Sequence, residues 1–259
     1  PAITLRVNSL KTSREALASM LGGAEPTALS GDGLRLRGSV RELPGFEEGL
    51  FFVQDEASQL CVEALGAMPG DTVMDVCACP GSKSFGCAVR MRNTGRVLSF
   101  DLHEKKLSLI ESGAQRLGIT IITPSVQDAR EPIAELVGRA DRVLCDVPCS
   151  GFGVIAKKPE LRYKNPADSA ALPEIQSAIL ENACRYVAPG GVLVYSTCTV
   201  FPEENQDNVV RFLERHPEFS LTPFRAGALD CPAGMITLLP DEFPTDGFFI
   251  ARMEKKGAL

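Results

Sequence analysis

Between residues 72 and 215 the hydrophobic period of the chain keeps switching, and that alternation limits the folds open to it. Short apolar runs at 72–76, 96–101, 119–123, 142–146 and 192–197 fit strands. Helical spacing fills the gaps. In 104–117, Leu107, Ile110, Ala114 and Leu117 recur at steps of three and four, and Gly118 follows as a stop. Segments 82–92, 173–187 and 203–215 also read as helices, the second closed by Pro189-Gly190-Gly191. Strand and helix in turn specify an open, mostly parallel sheet with helices on both faces. Ligands of such sheets bind outside the carboxyl ends of the strands.

The expected fold class is therefore α/β, a Rossmann-like sheet, with 235–239 and 248–253 adding a late antiparallel hairpin. Residues 1–48 differ in texture: a strand at 3–7, a helix at 12–21, then glycine-rich segments carrying Arg35, Arg37 and Arg41. They are expected to form a small separate α/β module, joined through 45–49 to a main domain over 49–259.

Composition narrows the function classes. With 44% hydrophobic and 23% charged residues, the 259-residue chain can bury a real core. No run approaches the roughly 20 apolar residues of a membrane span, and no basic-then-apolar leader opens the chain. A cytoplasmic protein without a membrane partner is expected, and one that begins with proline reads as part of a longer chain. A net charge of -6 disfavours indiscriminate coating of nucleic acid but allows a local basic patch. The nine cysteines are odd in number and sit mostly in apolar runs, which fits reduced thiols rather than a disulfide scaffold. Without a Cys-x-x-Cys, and with only the isolated His103 and His216, no metal site is expected.

The stretch VMDVCACPGSKS, 73–84, turns from the first of these strands into a helix through one glycine. Such a turn lets backbone approach a ligand. Asp101 ends the next strand about 20 residues on, the distance at which a carboxylate meets a ribose hydroxyl pair. A dinucleotide fingerprint needs three spaced glycines and a phosphate loop needs Gly-Lys-Ser/Thr; neither is present, which speaks against a nicotinamide-dependent oxidoreductase. An adenosine-bearing ligand without pyrophosphate remains, and S-adenosylmethionine is the candidate. Asp128, after the third strand, would lie at the same edge near the adenine, or else cap a helix near Pro132.

Two other strand ends carry thiols. One runs out in Asp146-Val147-Pro148-Cys149, the other in Ser196-Thr197-Cys198, so the two cysteines can converge on one pocket. The remaining seven read as small buried hydrophobes. Neither histidine falls at a strand tip, so a Cys-His hydrolase is disfavoured. Methylation of a pyrimidine at carbon 5 wants this arrangement: a thiolate adds to carbon 6, a carboxyl group at ring N3 stabilises the developing charge, and a base then removes the carbon 5 proton so that the enzyme can leave. Cys198, Asp146 and Cys149 can fill these roles, although the spacing does not say which sulfur does what.

Together, LRVNSLKTSREAL, GLFFVQDEASQL, DVCACPGSKS, DVPCSGFGVIAKKPELRYK, YSTCTVFPEENQDNV and DGFFIARMEKK resemble the NOP/Sun RNA 5-methylcytosine methyltransferases over nearly the whole chain, nearest the branch acting on bacterial small-subunit ribosomal RNA. The resemblance implies that Cys198 is the nucleophile and Cys149 the residue needed for release. It implies S-adenosylmethionine bound by Cys77, Ala78, Cys79, Pro80, Gly81, Ser82 and Lys83 with Asp101, Asp128 and Asp146. The family's usual loop is Cys-Ala-Ala-Pro-Gly-Gly-Lys-Thr, so Cys79, Ser82 and Ser84 are departures, and Ser82 adds a side chain where bare backbone is expected. A monomer acting on 16S ribosomal RNA is implied, with transfer RNA or a catalytically silent RNA-binding module as alternatives, and a helical NusB-like domain is common ahead of this point. Because chemistry on a base requires it to leave its stack, the basic residues Lys157, Lys158, Arg162 and Lys164 after Cys149 are expected to meet the RNA backbone, with the 1–48 module extending that track.

Overall fold

A computed structural model describes residues 2–163 and 165–258. Its front sheet takes β1 (Ala2–Val7), β2 (Glu25–Pro26), β3 (Gly33–Arg37) and β4 (Phe51–Val53) in the order β2-β3-β1-β4, all antiparallel. Helix α1 (Arg14–Leu21) starts where Ser13 accepts the Ala16 N–H, and buries Leu17 against Leu5, Leu34 and Phe51. The period of two in β3 sends Leu34 and Leu36 inward and Arg35 and Arg37 to solvent. The front sheet runs past residue 48, the boundary expected from the sequence, because Phe51 and Val53 pair with Val7 and Leu5.

Helix α2 (Glu56–Leu65), β5 (Thr72–Asp75), α3 (Ser82–Arg90), β6 (Arg96–Asp101), α4 (Glu104–Leu117), β7 (Ile122–Val126), β8 (Ala140–Asp146), α5 (Leu172–Tyr186), β9 (Val187–Thr197), α6 (Gln206–Arg215) and β10 (Phe219–Leu221) follow. The chain ends with β11 (Phe224–Ala226), β12 (Leu229–Cys231), β13 (Met235–Leu238) and β14 (Phe248–Lys255). The main sheet has the order β10-β14-β9-β8-β5-β6-β7 with β13 on β14, while β11 and β12 pair as a separate ribbon. Strands β5 to β9 are parallel, and the β13–β14 hairpin is antiparallel as expected. Because the chain builds outward from β5 first toward β7 and then toward β9, the crevice where a ligand belongs opens at the tips of β5, β6 and β8.

Both faces of this sheet are covered, which is why its strands are continuously apolar. In β8, Leu144 packs in the cluster under α2 and α3, whereas Val143 and Cys145 pack under α5 and α6. The bounds of β6 and α4 match the pattern read from sequence. The next strand begins three residues later than read, because Ile119 belongs to the end of α4: Gly118 adopts φ 73° and the Ile119 and Gly118 N–H groups bond Ala114 O and Gln115 O. Pro189-Gly190-Gly191 lies inside β9 rather than closing α5, and the β8–β9 ladder is irregular beside it. Among the described residues, no helix is long and apolar enough to cross a membrane.

Candidate active site

Register carries Asp146 of β8 next to Ser196 of β9, so the loops that follow leave the sheet side by side. There Cys149 Sγ and Cys198 Sγ lie 3.1 Å apart, and the Cys198 N–H points at Cys149 Sγ at 3.3 Å. The Cys149 thiol, whose contact with Cys198 and partial burial both oppose its charged form, is held far above the ordinary range. The contact with Cys149 shifts Cys198 down despite burial, with Lys83 helping. All seven other thiols are shifted up, chiefly by burial, Cys61, Cys79 and Cys184 to about 12. Cys198 is the thiol closest to being a thiolate, the form that attacks carbon.

Asp146 faces the same space with both oxygens engaged. Lys83 Nζ, from the first turn of α3, lies 2.7 Å from Oδ2, and Ser196 Oγ donates to Oδ1 at 2.8 Å. Burial works against the Lys83 charge, but Asp146 outweighs it and the ammonium is raised above its usual value. Lys83 also sits 5.3 Å from the centre of the Phe248 ring. The helix that delivers Lys83 is seated on a buried carboxyl: Ser84 Oγ donates to Asp75 Oδ2 at 2.7 Å and meets Ser99 Oγ at 2.7 Å. Burial pushes Asp75 up to about 7.

The loop before α3 shapes the crevice. The Ala78 N–H bonds Phe100 O at 2.7 Å and the Cys79 N–H reaches Asp101 Oδ2 at 3.3 Å, tying the loop to the tip of β6. Gly81 turns the chain into the helix at φ 109°, where a Cβ would also lie 2.8 Å from the Phe85 ring. Pro80 is exposed, and Ser82 is the half-buried first residue of α3. Beside this loop opens a cavity of about 360 Å³, within the usual size of small-molecule sites, lined by Cys77, Asp101, His103, Asp128, Pro148 and Ile179 among others. Asp101 Oδ1 accepts the His103 N–H at 3.0 Å. Asp128 is no helix cap: it is held by Arg130 at 3.0 and 2.7 Å and lowered to about 2 by those bonds. Pro148 lines the cavity directly before Cys149, so cavity and sulfur pair are neighbours.

The rim is less uniform than the sequence suggests. Lys157 Nζ is clamped by Asp55 Oδ1 at 2.5 Å and Asp246 Oδ2 at 2.6 Å, fastening the loop after Cys149 to α2 and to the β13–β14 connection. Lys158 and Arg162 are exposed; Lys164 lies outside the described residues. Sequence reasoning passed over Ser196 and Phe248, which act on Asp146 and Lys83, and over Tyr163, 90% exposed beside Arg162. An aromatic among basic residues was the available signal for Tyr163; the other two are set by tertiary contact alone.

The family model described as 16S rRNA methyltransferase RsmB/F matches residues 62–254. A Bacillus subtilis protein named "Probable ribosomal RNA small subunit methyltransferase B" is 41% identical over 99% of this chain and 60% of its own length. The Yersinia pseudotuberculosis ribosomal RNA small subunit methyltransferase B is 37% identical over the same shares. The chain thus spans about 60% of the length of these curated relatives. Among solved structures, a methyltransferase homologue from Pyrococcus horikoshii superposes with a TM-score of 0.83 at 31% identity, covering 98% of this chain and 86% of its own.

Proposed function

The chain belongs to the RsmB/F family of 16S rRNA methyltransferases, and on that footing we propose that it methylates carbon 5 of a cytosine in ribosomal RNA, with S-adenosylmethionine as cofactor and Cys198 as covalent nucleophile. One observation carries the covalent step: Cys198 Sγ lies 3.1 Å from Cys149 Sγ, beside a cofactor-sized cavity that Pro148 lines. Asp101 at the tip of β6 and the apolar walls Pro148, Ile175 and Ile179 suit a ribose and an adenine.

When bound there, S-adenosylmethionine supplies an electrophilic methyl group. Cys198 Sγ adds to carbon 6 of the flipped base; the carbon 5–carbon 6 π pair moves into the ring and makes carbon 5 nucleophilic. The Asp146–Lys83 pair is the preorganised charge against which ring N3 is held. It is an engaged ion pair rather than a lone acid, and Ser196 fixes its angle. After transfer, the carbon 5 proton passes to water beside Cys149, the electrons of that carbon–hydrogen bond re-form the carbon 5–carbon 6 double bond, and the Cys198 thiolate leaves, a release that Cys149 serves. Exposed Lys158 and Arg162 meet the RNA backbone, as does Lys164; Lys157 acts by holding the loop.

Bisulfite sequencing of ribosomal RNA from a deletion strain, and methyl transfer by the full-length enzyme to that unmodified RNA, test this reading. One small-subunit cytosine should lose its methyl group in the strain and regain it in vitro. Transfer to transfer RNA alone, or none at all with S-adenosylmethionine bound, would overturn it.

A further inference from the structure

Two consecutive residues hold both cysteine loops from behind. Gln176 Nε2 donates to Pro148 O at 3.0 Å and to Glu204 Oε2 at 2.8 Å, and the same Oε2 accepts the Ser150 N–H at 2.9 Å. The residues on either side of Cys149 are thereby fastened to one Gln176–Glu204 pair. Asn205 repeats the arrangement around Cys198: its Oδ1 accepts from Thr197 Oγ1 at 2.5 Å and its Nδ2 donates to Thr199 O at 3.0 Å. Ser150 Oγ and Thr199 Oγ1, 2.8 Å apart, join the two loops directly.

A second tier supports the first. Tyr195 Oη donates to Glu204 O at 2.5 Å, and Asn208 Nδ2 donates to Gln176 Oε1 at 3.1 Å and to Tyr195 Oη at 3.3 Å. Glu204 is only 3% exposed, and Gln176, Asn205 and Tyr195 are fully buried. Burying a carboxylate and three amides is costly unless each is bonded, and a fully bonded network in a low dielectric is stiff. None of these side chains lines the cofactor cavity or bonds a sulfur. The first-tier bonds end instead on the residues next to each sulfur, three of them on backbone and one on the Thr197 hydroxyl, and a displacement of about 1 Å at a reacting group costs on the order of 100-fold in rate.

We propose that Glu204 and Asn205 are positioning residues with separate duties, Glu204 with Gln176 setting Cys149 for release and Asn205 setting Cys198 for attack. The proposal rests on the covalent reading above and makes neighbouring positions fail at opposite steps. With the full-length enzyme, ribosomal RNA from the deletion strain and S-adenosylmethionine, Glu204→Ala should behave like Cys149→Ala: a protein–RNA adduct persists on a denaturing gel while turnover falls on the order of 100-fold. Asn205→Ala should lose turnover on the same scale with no adduct and little change in KM. Glu204→Gln keeps an acceptor for Ser150 N–H and Gln176, so it should restore release relative to Glu204→Ala. If Glu204→Ala does not fold, Gln176→Met opens the same clamp from the other side and should also accumulate adduct. Absence of adduct even for Cys149→Ala would sink the covalent reading itself. An adduct from Cys149→Ala beside clean turnover in Glu204→Ala and Gln176→Met, or an adduct from Asn205→Ala, would overturn the positioning assignment alone.

Discussion

At the tips of β8 and β9, the residues flanking Cys149 and Cys198 are bonded from behind by side chains that are almost wholly buried. Farther along the segment that follows Cys149, Lys158, Arg162 and Tyr163 stand in solvent. One region stores geometry in the interior; the other offers charge and an aromatic face at the surface. Interior geometry should fail steeply when one group is removed, because little can relax to replace it. Surface charge should fail gradually, in step with salt.

The steepest failure belongs to the sulfurs. Cys198→Ala should lower methyl transfer by at least on the order of 10⁴-fold, the scale on which enzymes lose rate with their nucleophile. Equilibrium binding of S-adenosylmethionine, read by calorimetry, should persist, since Cys198 does not line the cavity. Residual transfer near the wild-type rate would mean the interior pair is not the centre of the chemistry. Next comes Lys83→Met, which leaves the Asp146 carboxylate without its partner in a site where the two side chains are 12% and 23% exposed. Stranding a charge there should cost about 3 kcal/mol of stability in a denaturant titration, together with most of the activity. A variant as stable as the wild type would show that water reaches Asp146 freely.

The rim gives smaller effects, and its two lysines should separate. Arg162→Ala and Lys158→Ala should each weaken RNA binding and flatten the dependence of log affinity on log salt by about 0.7, the single-strand value per phosphate contact. Lys157→Ala should leave that slope alone and lower the melting temperature instead, because its ammonium is committed to Asp55 and Asp246. A loss of salt slope in Lys157→Ala would erase the distinction between clamp and contact.

This division also explains what could be read from the chain before its structure. The parallel sheet was legible because β6 and α4 are bounded by local signals, an aspartate at one tip and a Gly118 cap at the other end of the unit. The cysteine pair was legible because both strands end in the same kind of motif, and topology makes them neighbours. What escaped was held by contacts distant in sequence. The engagement of Lys157 depends on Asp55 and Asp246, 102 and 89 positions away, so a run of two lysines looked uniform when only one of them is committed. Glu204 and Asn205 were hidden for a different reason. In Phe201-Pro202-Glu203-Glu204-Asn205 they read as an ordinary polar start to a helix, and nothing local marks the second glutamate as buried and the first as exposed.

The smallest effect lies at the end of α6 and concerns stability rather than chemistry. His216 Nε2 meets Glu181 Oε2 at 2.6 Å, and Nδ1 meets Glu218 Oε1 at 3.0 Å. Burial opposes the charged ring, but the two carboxylates outweigh it and hold His216 above its ordinary 6.5. Against burial, His216 and Arg215 hold Glu181 below its ordinary 4.5, and Glu218 is held below it by its own backbone N–H together with His216. A raised histidine contributes stability that is complete below pH 6.5 and fades as pH climbs through its folded value. Lowered carboxylates contribute above pH 4.5 and fade as pH drops through theirs. The cluster is therefore strongest between about pH 4.5 and 6.5. The difference in melting temperature between wild type and His216→Gln should be greatest near the middle of that window and shrink toward pH 9, while methyl transfer at pH 8 stays unchanged. A difference that grows with pH would mean the ring is held neutral. His216 would then belong with the buried, chemistry-setting groups at the strand tips rather than with the screened charges of the surface.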